Sequence, residues 1–255
     1  VTLTPGDIFV INRASDGKSL NKSGSQAWKE HIVSFEADGN LITLNGTSSD
    51  FPTGRFVTAK TAFEVAQPEG ASYYRLIEKS TGFILRCSGY LKPNDGSWTG
   101  ADAQLVFSKN NDGKYRIGQN GNTWYANVSG EFLADADGAE AGYLFNLVTI
   151  NAALEQTIAD AQALIATAST VATKAVAPQV QAAITVAQTA ITATASQTEL
   201  YNAWIALNST LRDYNYASMK SDAGKIAIST DAHEFYYTIG DADGCLFTVT
   251  PDTLL

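Results

Sequence analysis

The chain has 255 residues, 45% of them hydrophobic and 17% charged, with a formal net charge of −9. That composition excludes a disordered chain, which carries fewer apolar and more charged residues. The acidic balance argues against a nucleic-acid surface, which needs clustered Lys and Arg to displace counterions from phosphate, and no run of about 18 apolar residues is present to form a transmembrane helix.

Residues 1–150 read as all-β. They hold 17 of the 20 glycines and 18 of the 26 aromatic residues. Short alternating runs follow one another: "DIFVIN", "HIVSFEA", "NLITLNG", "GRFVTA", "AFEVAQ", "YYRLIE", "FILRC", "QLVFS", "KYRIG" and "YLFNLVTI". Between them stand turn signals such as "SDGK", "ADGN", "STG", "NNDGK" and "NGN", in which Gly or Asn supplies positive φ. Many short strands at this spacing predict a barrel or sandwich.

An internal repeat sharpens that expectation. The stretch from Asp7 to Gly46 can be laid beside the stretch from Tyr73 to Gly121. Each reads strand, turn, strand, a long loop with a tryptophan (Trp28, Trp98), a third strand, a DG turn and a further strand. On this grammar the segment resembles the ricin-type β-trefoil family over about residues 7–150, which implies a β-trefoil-like barrel and carbohydrate binding. Gln104 keeps the Gln of the family's Gln-x-Trp signature, and Val106 stands at its Trp. Strand starts recur near Ile8, Leu41, Tyr73 and Tyr115, four where a trefoil has three.

From Asn151 to Leu211 there is no glycine, and only Glu155, Asp160, Lys174 and Glu199 are charged. Three stripes step by four, three and four: Leu154, Ile158, Ala161, Ile165; Val180, Ile184, Ala187, Ile191; Leu200, Trp204, Leu207, Leu211. Each set lies on one helix face. Pro178 suits the first turn of the second helix, and "SQTE" (Ser196 to Glu199) is a capping box for the third. A three-helix bundle over 151–212 is predicted, with Leu154, Ile158, Ile184, Ile191, Trp204 and Leu207 buried. Over "ATASQTELYNAWIALNSTL" it resembles the FIVAR-type modules of bacterial surface and secreted proteins. Its weakly charged faces predict contact with another domain.

Residues 213–255 return to alternating character. "YYTIGDADGCLFTV" (Tyr236 to Val249) echoes "YYRLIEKSTGFILRC" (Tyr73 to Cys87). This tail is read either as the start of a second β domain or as a hairpin packing on the first, with the former favoured. Cys87 and Cys245 occupy matching strands of the two phrases and are read as buried small apolar residues. The fold class is thus multidomain, β plus α: barrel, helical bundle and β-rich tail.

Catalytic chemistry finds little footing. His31 and His233 lie in no recognisable motif, and no Gly-x-Ser-x-Gly, His-Glu-x-x-His, phosphate loop or Cys-x-x-Cys is present. "DADG" occurs at Asp135–Gly138 and Asp241–Gly244, but Leu133 and Ile239 stand where a calcium loop needs a further Asp. Both are read as tight turns, and no metal or cofactor is expected. The loop from Ser88 to Asp102 sets Tyr90 and Trp98 among Asn94, Asp95 and Asp102, the mixture a sugar site needs: a flat ring for the C–H face and acceptors for hydroxyls. The competing reading turns Trp98 inward as a barrel plug. Asn120, Trp124 and Tyr125 offer a second candidate, although the favoured reading there gives the aromatics to a strand. The expectation is a non-catalytic glycan-binding accessory region of an extracellular or surface-attached bacterial protein, with further domains of the same polypeptide as possible partners. The alternatives are a structural spacer or interaction module and, third, a truncated polysaccharide-processing enzyme.

Overall fold

The computed structural model describes residues 3–17, 19–23, 31–36, 41–44, 54–57, 61–87, 90–92, 100–129, 132–137, 142–169, 171–193, 195–218, 234–239 and 242–248, and the side chains of 3–17, 19–20, 61–87, 100–126, 142–169, 173–193 and 195–214. Two compact units divide the chain: residues 1–38 with 59–149, and 39–58 with 150–255.

The first unit contains β1 (Ile8–Arg13), β2 (Ser19–Ser23), β3 (His31–Glu36), β6 (Phe63–Ala66), β7 (Arg75–Glu78), β8 (Ile84–Leu85), β9 (Tyr90–Lys92), β10 (Leu105–Lys109), β11 (Tyr115–Gln119), β12 (Trp124–Ser129), β13 (Phe132–Asp137) and β14 (Phe145–Thr149). Their antiparallel pairings close on themselves. β1 pairs with β6 and β6 with β7. Tyr74, just before β7, exchanges two backbone hydrogen bonds of 2.8 Å with Leu105 of β10. β10 then pairs with β11, β11 with β14, and β14 returns to β1 over five residues, from Phe9↔Thr149 to Arg13↔Phe145. The other six strands form the hairpins β2–β3, β8–β9 and β12–β13, joined through β3–β9 and β13–β3. A six-strand ring with three linked hairpins is the trefoil-like arrangement that the sequence grammar implied.

The core follows from the two-residue strand period. Each ring strand region turns a pair of residues inward: Phe9 and Ile11, Phe63 and Val65, Tyr74 and Leu76, Leu105 and Phe107, Tyr115 and Ile117, Phe145 and Leu147. Every hairpin adds one residue, namely Leu20, Leu85 and Ala126. Val106 falls between two inward residues and is half-buried. Cys87 lies in this core at 1% exposure.

Of the four strand starts, the one at Leu41 lies outside the ring. β4 (Leu41–Leu44) pairs with β5 (Gly54–Val57), and both belong to the second unit. Its alternation is locally the same as that of a ring strand, so pattern alone could not separate the two. The three repeats begin at β1, β7 and β11.

In the second unit, α1 (Ile150–Ala166), α2 (Val171–Thr192) and α3 (Gln197–Ser218) pack pairwise. Leu154, Ile158, Ala161, Val180, Ile184, Ala187, Leu200, Trp204 and Leu207 are all buried. The last residue of each stripe, Ile165, Ile191 and Leu211, is only half-buried, so the expected burial of Ile191 is corrected. Trp204 donates from Nε1 to Thr157 Oγ1 (3.2 Å), and Thr157 donates in turn to the Ala153 carbonyl (2.7 Å), which satisfies both polar groups inside the core. α3 runs past 212 because Tyr214, 3% exposed, extends the stripe and donates to the Leu164 carbonyl. Pro178 lies inside α2 and not in its first turn. The preceding "VATKAVA" is rich in the strongest helix former and starts the helix earlier, leaving the Lys174 carbonyl without its helical donor.

In the tail, β15 (Glu234–Ile239) and β16 (Ala242–Thr248) pair antiparallel. β15 pairs in parallel with β5, giving the sheet order β16-β15-β5-β4. A lone hairpin is marginal in water, and the added strands supply what it lacks. Neither "DADG" segment is a simple tight turn: Asp135–Asp137 lie within β13, and Ala242–Gly244 within β16. The side chain of Cys245, together with His233 and Trp28, lies outside the described residues.

Trp204→Ala should lower stability by about 3–5 kcal/mol, because it opens a large cavity in the bundle core. A denaturant melt matching wild type would contradict this packing. At the start of α3, Ser196 donates its hydroxyl (2.7 Å) and its backbone N–H (2.8 Å) to Glu199. Those bonds hold the Glu199 carboxyl below its ordinary pKa. A lowered folded-state pKa means that the capping contribution is present above the usual glutamate range and disappears as pH falls through the lowered value. Carboxyl NMR titration should show Glu199 below the ordinary glutamate value, and Ser196→Ala should raise it part of the way, since the backbone N–H bond remains.

Candidate functional site

The three repeats each carry a buried polar residue at the end of their first strand: Arg13 (8% exposed), Glu78 (2%) and Gln119 (4%). Each side chain closes the turn that follows it. Arg13 donates from Nε to Asp16 Oδ1 at 2.9 Å. Glu78 accepts from the backbone N–H of Ser80 and of Thr81, each at 2.9 Å, and from both hydroxyls. Gln119 accepts from Asn122 Nδ2 at 3.4 Å. In the first two turns a glycine with φ of +73° donates to the carbonyl four residues back (Gly17 to Arg13, Gly82 to Glu78). The third turn, "QNGNT", uses no charge and sets its glycine, Gly121, at φ +70°.

Equivalent pairings across the turns, Ile77↔Ile84 and Gly118↔Tyr125, place Trp124 where the second repeat has Phe83. Phe83 packs against the core. Trp124 instead stands 44% exposed. The departure has a local cause: the Tyr125 ring lies over the Gly118 backbone, so a β-carbon built there would sit 3.0 Å from Tyr125 Cε1 and 3.3 Å from the Trp124 carbonyl. Asn120, half-buried, is fixed by its backbone N–H donating to the Gln104 carbonyl at 2.7 Å. Thr123 N–H donates to Asn122 Oδ1 at 2.7 Å. An exposed indole thus adjoins a turn of amide side chains, a surface that can stack on an apolar ring face and hydrogen-bond to its polar rim.

Asn120 and Trp124 are therefore brought together on one turn and strand. Asp102, in the short 3₁₀ turn Ala101–Ala103, forms an ion pair with Arg86, and its backbone carbonyl accepts from Cys87 N–H at 2.9 Å. That carboxylate is committed to holding the Arg86 side chain. Tyr90 is the first residue of β9, its backbone paired with Ile32; its side chain lies outside the described residues, as do Trp98, Asn94 and Asp95. The buried residues at the three turns, Arg13, Glu78 and Gln119, escaped sequence reasoning. Aligning the turns "NRASDG", "IEKSTG" and "GQNGNT" would have shown a polar residue entering each one.

No known family matches the chain, and no curated protein matches it. Solved structures do. A salivary protein of the cysteine- and tryptophan-rich family from Culex quiquefasciatus aligns at 15% identity and a TM-score of 0.43, covering 58% of this chain and 96% of its own. A Polyporus squamosus lectin aligns at 11% identity and 0.41, covering 62% and 55%. The BEL β-trefoil aligns at 12% identity and 0.39, covering 58% and 97%.

Gly118→Ala should cost about 1–3 kcal/mol by overpacking against Tyr125, and should shift the indole N–H resonance of Trp124. Trp124→Ala should leave the melt unchanged, since a half-exposed ring leaves no cavity. A strong loss of stability in the second variant would make Trp124 a packing residue.

Proposed function

We propose that the ring domain is a non-catalytic carbohydrate-binding module belonging to an extracellular or surface-attached protein. The exposure of Trp124 carries the reading. At the place where the second repeat has Phe83 and the first Lys18, the third repeat puts a large aromatic face in solvent, on the strand that follows the turn carrying Asn120. Neutral amides serve sugar hydroxyls well because they donate and accept at once. Each stacked ring contributes about 0.5–1.5 kcal/mol by analogy with aromatic pairs, so affinities of order 0.1–1 mM are expected for a single site. The loop from Ser88 to Asp102 is a second candidate, with Trp98 as its ring, flanked by Tyr90, Asn94 and Asp95.

Titration against a panel of immobilised glycans should give at least one neutral saccharide whose binding Trp124→Ala abolishes without changing the melt. Trp98→Ala should weaken binding of the same class, again at wild-type stability. A panel without a hit would replace this reading with that of a spacer or interaction module. A strongly destabilised Trp98→Ala would make that residue a plug.

A further inference from the structure

The first unit has an open cleft of about 400 Å³ at the seam where the ring closes, lined by Ala14, Ser15, Lys114, Arg116, Gly142, Tyr143 and Leu144. Two tethers hold its walls: Ala14 N–H donates to the Leu144 carbonyl (2.8 Å), and Tyr143 N–H to the Ala126 carbonyl (3.0 Å). Lys114 and Arg116 flank Tyr115, which packs toward the core. The strand period therefore sends both cations to the opposite side, into the cleft. Tyr143 stands 37% exposed in its wall.

The charge pattern is what makes this cleft unusual. The chain carries a net charge of −9. Nevertheless, among the described residues neither Lys114 Nζ nor the Arg116 guanidinium meets a carboxylate. Asp16, the acid nearest the rim in sequence, is engaged by Arg13. Arg116 Nε, like Arg75 Nε, is buried and makes no hydrogen bond, so a ligand in the cleft would meet Arg116 through its remaining donors. A carboxylate is the acceptor that suits two cations lining one cleft, since a hydrogen bond between charged groups is about twice as strong as a neutral one.

We propose that this cleft binds an acidic saccharide, its carboxylate on Arg116 and Lys114 and its ring against Tyr143, with the Ser15 hydroxyl at the rim. The size fits a monosaccharide unit, since small-ligand pockets begin near 300 Å³. The site is separate from the Trp124 face and takes a charged ligand where that face takes a neutral one.

The test is titration of the whole chain at low ionic strength with glucuronate, glucose and acetate, followed by NMR. Glucuronate should perturb Lys114, Arg116 and Tyr143 at low-millimolar concentration, and glucose should leave them unmoved. Arg116→Gln and Lys114→Ala should each weaken glucuronate about tenfold or more, the loss of a charge-assisted bond, while keeping the Trp124-dependent binding of neutral glycan. Tyr143→Ala should weaken glucuronate but not acetate. Should Arg116→Gln fail to fold, Lys114→Ala alone decides. Glucuronate binding that is absent, no tighter than acetate, or unchanged in these variants overturns the proposal. Loss of the Trp124 readout with glucuronate binding intact overturns only the neutral-glycan reading.

Discussion

The structure of the ring domain depends on one long-range contact, the five-residue pairing of β1 with β14. It joins the two ends of the segment, and without it the remaining pairings would leave a curled open sheet with two exposed edges. Closure turns each i, i+2 pair of the ring toward a shared interior, so the core is assembled from six regions in equal parts. It also explains why Ile11 and Phe145 are fully buried: they sit at the seam, where a gap would admit water to the whole interior.

Threefold repetition lets each turn be compared with two others. The first two spend a charged residue on closing the turn; the third uses Gln119. Replacing a charge by an amide keeps the hydrogen bond and removes the electrostatic commitment. In the same repeat, Gly118 makes room for Tyr125 and Trp124 leaves the core for solvent. The first repeat has Asn12 and Lys18 at the places of Gly118 and Trp124, and the second has Ile77 and Phe83, so the repeats share no residue type there. Between the second and third, an aromatic ring packed on the core gives way to one that faces solvent.

Local patterns were legible and non-local partnerships were not. The helical stripes could be read because 3.6-residue periodicity is a property of the segment itself, and the extension of α3 to Tyr214 was latent in the same four-three stepping. Pro178 misled because proline is most at home in a first turn, whereas Ala-rich sequence before it carried the helix through. The strand at Leu41 was indistinguishable from a ring strand, since its pairing with β5, and that of β5 with β15 180 residues away in the chain (Phe56 to Tyr236), leaves no trace in alternation. Of the candidate binding residues, Asn120 and Trp124 could be proposed from sequence because an aromatic beside a Gly–Asn turn is a local signal. The cation cleft could not be found that way, because it draws on residues 14–15, 114–116 and 142–144.

The net charge sets a further condition on such a cleft. An acidic chain repels an anion at long range, yet at physiological ionic strength that repulsion is screened over about 8 Å. What remains is the short-range field inside the cleft, where a buried guanidinium nitrogen and a neighbouring ammonium act in a medium less polarisable than water and are screened much less. Binding there would be slow to find and selective once found, because a carboxylate must meet Arg116 and Lys114 together within one confined cleft. A simple increase in surface basicity would give the opposite: fast, salt-sensitive and indiscriminate association. Placing two cations that meet no carboxylate among the described residues in a tethered cleft, on an otherwise acidic chain, is the arrangement that separates recognition of one carboxylate from attraction to all of them.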